Sequence, residues 1–290
     1  MPYNPHSLLR AFALLIFSTG VFAQDAPTLK EAVRDQYVDA VGVNELDKLD
    51  SATPFSVLDT YSHFLSEQEL RDVSLSEDSA AFLRGLAAGT LYLRIPVFHV
   101  KTSTQVRRQL AKAMETQGVN AIVIDLRGNQ GGLLNAAIEV ADEFIAGGEL
   151  ATTKGRQDNA NLVFLAKPDG LAEHVAIAVL VDKRTASAAE LLAGILRSNA
   201  GARLVGQNTF GKSAVQTLIR LKDGGSLSLT TATYFFSDGR TVGSQGLHPD
   251  FPLSSWRLRR NPPVGIRSDD PSLLARDPVL ADAALRAGRR

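Results

Sequence analysis

The chain alternates between short, almost wholly apolar runs and longer stretches with apolar residues at helical spacing. VAIAVLV (175–181) and AIVIDLR (121–127) are continuous apolar runs, which suit strands buried on both faces. LYLRIPV (91–97) and the shorter ARLV (202–205) are also strand-like. Between these runs lie helical patterns. One is TQVRRQLAKAME (104–115), ended by Gly118; a second spans 133–145; a third opens at Ser187 with Leu191, Leu192, Ile195 and Leu196 on one side. This β-α-β-α order predicts an α/β fold, a mainly parallel twisted sheet with covering helices. After Lys212 the period changes to two: Val215, Thr217, Ile219 and Leu221 share one face, with Gln216, Leu218 and Arg220 on the other. That predicts a strand, which KDGGS (222–226) turns into a second strand over 227–235.

The flanks are less regular. Residues 29–41 and 55–70 carry apolar positions at helical spacing, and Ser66 to Glu69 fits a capping box. Residues 71–89 are polar, then small, with Gly85 and Gly89 as breaks, and are expected to be a connection. Asn261-Pro262-Pro263 marks a linker, and 277–286 fits a last helix. The expected division is 1–23 signal peptide, 24–89 helical region and connection, 90–253 core, and 254–290 linker and short helix.

Composition narrows the function classes. With 290 residues, 44% of them hydrophobic, the chain has ample length for a large core. Its formal net charge of +0 gives no electrostatic case for nucleic acid or an anionic membrane as partner. The absence of cysteine excludes disulfides and thiol chemistry. The histidines show no metal-ligand spacing, so neither a metal nor a cofactor is expected. At the N-terminus His6 and Arg10 precede the apolar run 11–23, too short to span a membrane comfortably. Val21-Phe22-Ala23 places small residues for cleavage before Gln24. The expectation is an exported, periplasmic protein with no integral membrane segment in its mature form.

The candidate chemistry centres on Ser187 and Lys212. A serine attacks only when a base takes its proton. Lysine can be that base only when neutral, and at its unperturbed pKa of about 10.4 it is almost fully charged at neutral pH. Burial lowers that value, and Phe210 and Val215 flank Lys212 with no carboxylate within nine positions in sequence. Ser187 to Glu190 also fits a capping box, and a nucleophile at a helix start is compatible with one, since free N–H groups lie beside it. The turn from Asp125 through Asn129 to Gly131 and Gly132 can present N–H groups to an anion, or be a tight βα turn and nothing more. Residues 206–213, GQNTFGKS, match the phosphate-binding pattern G-x-x-x-x-G-K-[ST]. That motif needs a helix after it, and the period here predicts a strand, so the nucleotide reading is not favoured.

Six segments, LRIPVF (93–98), DLRGNQGGLL (125–134), TASAAELLAG (185–194), LVGQNTFGKSAVQ (204–216), LTTATYF (229–235) and GLHPD (246–250), resemble in that order the C-terminal processing peptidases, or tail-specific proteases. LDTYSHFLSEQE (58–69) is similar to that family's helical N-terminal region, and the resemblance covers roughly 37–252. It implies a serine endopeptidase with a Ser/Lys dyad on a core resembling crotonase and the Clp protease. Ser187 falls on the nucleophile, Lys212 on the general base and Gln216 on the residue that orients the lysine. Backbone N–H groups of Ala188, Gly131 and Gly132 fall on the oxyanion hole. Some members carry a carboxylate eleven positions after the nucleophile; here that position is Ser198, and no acid is carried over. The family's PDZ domain has only about twenty residues of space here, 70–89, so none is expected. The implied partners are a protein or peptide substrate and an adaptor or activator in place of the PDZ domain. The alternative is a catalytically idle peptide-binding or scaffolding protein on the same fold.

Overall fold

The computed structural model describes residues 26–49, 57–65, 80–86, 89–115, 118–222 and 225–253. The expected signal peptide, the second capping box at Ser66 and the C-terminal linker and helix lie outside these residues.

The predicted parallel sheet forms the centre. Strands β3 (Thr90–Arg94), β4 (Ala121–Asp125), β7 (Ala176–Val181), β8 (Arg203–Gly206) and β11 (Phe251–Pro252) run parallel, in the spatial order β11-β8-β7-β4-β3. A sixth strand, β2 (Phe82–Gly85), adds to β3 antiparallel. Helices α3 (Thr102–Met114), α4 (Leu134–Asp142) and α5 (Ala188–Ala200) are the expected covering helices. The two apolar runs became central strands because both of their faces are covered. Ile122, Ile124, Val179 and Val181 point into the main core with α3, α4 and α5, and Val123, Ala178 and Leu180 into a second cluster with Tyr92 and Val205.

A second, antiparallel sheet stands on the other side of α5. Its backbone is the long strand β10 (Ser226–Phe236). Strand β9 (Ala214–Arg220) pairs along one edge of β10, and β1 (His63–Leu65) and then β5 (Glu149–Gly155) along the other, with β6 (Val163–Leu165) beyond β5. Helix α5 approaches β10 closely: a Cβ on Gly194 would lie 2.1 Å from the Phe236 ring. The N-terminal helices α1 (Leu29–Gln36) and α2 (Val43–Leu46) close a third apolar cluster over β9 and β10, through Val33, Tyr37, Leu46, Ile219, Leu227 and Leu229.

Three local expectations differ from the structure. Residues 29–41 were expected to be one helix, but α1 ends at Gln36; Tyr37 turns extended and the Val38 N–H goes to the Thr230 carbonyl at 2.9 Å. Within 55–70, expected to be helical, the described residues 57–65 form a turn and then β1. Asp59 Oδ1 accepts the N–H groups of Tyr61 and Ser62, and Thr230 N–H donates to Ser62 Oγ at 3.0 Å. Those partners replace helical bonds with a side-chain turn and a strand pairing. The expected connection 71–89 contains β2.

Candidate active site

Ser187 ends the turn between β7 and α5. Asp182 stops β7 and shapes the turn: its Oδ1 accepts the N–H groups of Arg184, Thr185 and Gly128. Thr185 Oγ1 donates to the Leu126 carbonyl at 2.9 Å, and Ala186 N–H to the Asn129 carbonyl at 3.0 Å. The turns after β4 and β7, neighbours in the sheet, are thereby stitched together. Ser187 itself has φ 54° and ψ −118°, and it is the one non-glycine residue with positive φ among the described residues. Such a conformation is sparsely populated and persists only where the surroundings impose it.

Glu190 is what imposes it. The sequence shows this residue as a helix-capping partner, and it does accept the Ser187 N–H at 2.8 Å. It also accepts the Thr209 hydroxyl, the Gly211 N–H at 2.7 Å and the Lys212 N–H at 2.9 Å. Ser187 and Lys212 donate to the same oxygen, Oε2, so their backbone nitrogens can be no further apart than those two bonds laid end to end. The Tyr234 hydroxyl sits on the other side, 3.4 Å from the Ser187 carbonyl and 3.2 Å from that of Lys212. Burial pushes the Glu190 carboxyl up, against the hydrogen bonds it accepts from Thr209, Lys212, Gly211 and Ser187.

Lys212 is 6% exposed. Its Nζ donates to Gln216 Oε1 at 2.9 Å and lies 4.6 Å from the centre of the Tyr61 ring. Gln216 is itself buried, and its Nε2 donates to the Tyr61 carbonyl, which fixes the amide with its oxygen toward the lysine. Burial pushes the Lys212 ammonium down to about 8, against the raising pull of Asp59 and Glu190. No carboxylate lies within nine positions of this lysine along the sequence, but the fold brings Asp59 and Glu190 near enough to act on it. Two carboxylates bias it, yet its immediate partners are neutral.

The glycine turn lies against the serine. A Cβ on Gly131 would come within 3.0 Å of Ser187 Cβ and 3.2 Å of Ala188 N, and Gly131 and Gly132 have φ of 108° and 128°. The structure separates the N–H groups grouped from sequence. Gly131 N–H is already donated to Asn129 Oδ1 at 2.8 Å, so it is not free to meet an oxyanion. Ala188 is the first residue of α5, whose N–H has no acceptor within the helix. Asn129, buried, also donates its side chain to the Ile95 carbonyl at 2.9 Å.

Three further residues, and a second role for Asn129, carry no mark in the sequence. Tyr61, Thr209, Tyr234 and the anchoring part of Asn129 come from distant segments, and no local spacing joins them to Ser187. Ser198 is turned away from chemistry, its hydroxyl donating to the Gly194 carbonyl at 3.0 Å. The G-x-x-x-x-G-K-S stretch is followed by β9 rather than a helix, and its Gly211 and Lys212 N–H groups are given to Glu190. Among the described residues no group of three or more His, Asp or Glu side chains could hold a metal ion, and no described helix is long and apolar enough to cross a membrane.

Residues 89–253 match the model of peptidase family S41. A carboxy-terminal-processing protease from Bartonella bacilliformis is 38% identical over 162 residues, covering 55% of this chain and 37% of that protein. The chain likewise spans a minority of the length of the other curated relatives it matches. Among solved structures, a photosystem II D1 C-terminal processing protease superposes with a TM-score of 0.54 at 28% identity, over 60% of this chain and 48% of that one. A lipoprotein from Streptococcus agalactiae shares the fold, with a TM-score of 0.61 at 19% identity over 83% and 95% of the two chains.

Proposed function

The chain belongs to peptidase family S41, and from that premise we propose that it is an exported serine endopeptidase of the C-terminal processing type, working through a Ser187/Lys212 dyad. The observation that carries this reading is the buried Glu190 carboxylate that receives the backbone N–H groups of both residues. A structural lysine in such a place would be paired with an acid; this one meets an amide and an aromatic ring.

In the proposed cycle neutral Lys212 takes the Ser187 proton as Oγ attacks a peptide carbonyl. The carbonyl oxygen collects negative charge facing the N–H groups of Ala188 and Gly132. Lys212 then gives its proton to the departing amine, and water, deprotonated by the same lysine, releases the acyl group from Ser187. Gln216 holds the lysine in place through Oε1. General-base help of this kind is worth about 10²–10⁴ in rate, and one oxyanion donor about 2.7–4 kcal/mol. Unfolded or C-terminally tagged proteins are the proposed substrates, with an adaptor or activator supplying any recognition that a PDZ domain gives other members. The apolar run 11–23 supports export to the periplasm.

The test is cleavage of an unfolded reporter with an apolar C-terminal tail, with labelling by a serine-reactive phosphonate beside it. Wild type is expected to cleave and to label; Ser187→Ala is expected to do neither, and Lys212→Ala to lose turnover while staying folded. Activity should rise with pH toward about 8 and level off above it, since the lysine works only when neutral. Wild type that neither cleaves nor labels would favour the idle, peptide-binding alternative.

A further inference from the structure

Tyr61 lies outside the residues that match the peptidase family, yet it touches both the candidate base and the glutamine that holds it. Its ring faces Lys212 Nζ at 4.6 Å, and its carbonyl takes the Gln216 side-chain N–H. We infer that Tyr61 is a positioning residue for the general base: its ring and its carbonyl together decide which way the lysine's lone pair points.

This inference rests on reading Ser187 and Lys212 as the dyad, and it adds what aims the base. A neutral amine has two hydrogens and one lone pair. Gln216 Oε1 takes one hydrogen at 2.9 Å. The negative face of the Tyr61 ring takes the second, as aromatic faces do with N–H groups and cations. Only the lone pair is then left for the serine proton. Remove the ring, and rotation about the Cε–Nζ bond spreads the lone pair over several directions.

Tyr61 is itself held for this. Asp59 Oδ1 accepts the N–H groups of Tyr61 at 3.2 Å and Ser62 at 2.8 Å, and Asp59 N–H donates to Tyr37 Oη at 2.8 Å. Ser62 is bonded to Thr230 on β10, and β1 follows at once. A segment that precedes the matched core by some twenty-five residues therefore completes the lysine pocket. The ionisable groups that bear on Lys212 are Asp59 and Tyr61 on this segment, Glu190 on α5 and Tyr234 on β10.

The test compares full-length wild type, Tyr61→Phe and Tyr61→Leu. For each, kcat and KM on the unfolded reporter and the acylation rate by the phosphonate are followed against pH. Every rate is divided by the folded fraction from a thermal melt, so a less stable variant is still scored. On the alkaline plateau the lysine is neutral in all three, and only its aim differs. Tyr61→Phe, which keeps the ring, is expected to stay within about twofold of wild type. Tyr61→Leu keeps an apolar side chain, though a smaller one, and loses the π face; its kcat should fall about tenfold or more at unchanged KM, part of the span general-base help covers. Wild-type kcat in Tyr61→Leu would overturn the inference, and so would an equal loss in Tyr61→Phe. Lys212→Ala run in parallel separates the two levels. Undiminished acylation there sinks the dyad itself; lost acylation there with full rate in Tyr61→Leu sinks only the role of the ring.

Discussion

Asp125, at the end of β4, and Lys212, just before β9, are two buried charges in glycine-bearing segments, and the protein surrounds them in opposite ways. The Asp125 carboxylate meets the Arg127 guanidinium at 3.0 and 2.6 Å, Arg94 at 3.5 Å and the Tyr92 hydroxyl at 2.8 Å. Burial alone would raise this carboxyl; Arg127 and Arg94 hold it far below the ordinary carboxylate range. The Lys212 ammonium is buried as well, but its contacts are the Gln216 amide and the Tyr61 ring, and burial wins. A charge matched by opposite charges keeps its proton state at any working pH and can serve only as architecture. A charge left among neutral partners sits near its titration point and can move a proton.

The sharpest way to break this contrast is to neutralise each charge and read stability. Asp125→Asn removes the buried carboxylate charge that Arg127 and Arg94 both face, and should destabilise by about 3–5 kcal/mol, measured by urea unfolding at neutral pH. Lys212→Met should do the reverse. Folding lowers this lysine from 10.5 to about 8, and each pKa unit is about 1.4 kcal/mol. The charged lysine thus costs the fold about 3 kcal/mol below pH 8, where both folded and unfolded chains hold the proton. Less about 1 kcal/mol for the bond to Gln216, the variant should gain about 2 kcal/mol at neutral pH. Between about 8 and 10.5 the folded chain releases the proton while the unfolded chain keeps it, so wild-type stability rises with pH and the gap closes. Stability lost on both substitutions would mean that Lys212, like Asp125, is a structural charge.

How far each region was legible follows from where its partners lie. The central strands stand out because burial on both faces leaves 121–124 of β4 and the whole of β7 without a polar residue, and Ser187, Lys212 and Gln216 stand out because their motifs are local. Strands β1 and β2 are short edge strands whose polar residues hide a period of two. Leu58, Tyr61 and Leu65 happen to repeat at helical spacing while serving a turn and a strand. Strand β5, with the sequence ELATTKG, carries no continuous apolar run and no strict alternation. At the site the capping-box reading of Glu190 found one of its four donors; the other three come from residues 209–212, joined to it only by the fold. Tyr61 is further still from Lys212 along the chain, and nothing in either neighbourhood announces the other.

The smallest expected effect tests whether the nucleophile's own backbone stores strain. Gly131 and Gly132 hold positive φ beside Ser187, and glycine is required there on two counts: the conformation, and the lack of room, since a Cβ on Gly132 would lie 2.0 Å from the Phe98 carbonyl oxygen. Ser187 adopts its positive φ with a side chain in place, at a cost of about 1–3 kcal/mol. Both Ser187→Ala and Ser187→Gly remove the hydroxyl, so both should be inactive. Alanine keeps the strained backbone and its Cβ. Glycine relieves the strain but gives back about 0.5–1 kcal/mol through a more flexible unfolded chain. Ser187→Gly should therefore be the more stable of the two by about 1 kcal/mol in urea unfolding, with two inactive proteins differing only in backbone freedom. An alanine variant more stable by about 0.5–1 kcal/mol, the glycine cost alone, would mean that the turn accepts this conformation without penalty, and that Glu190 holds Ser187 where it would rest unaided.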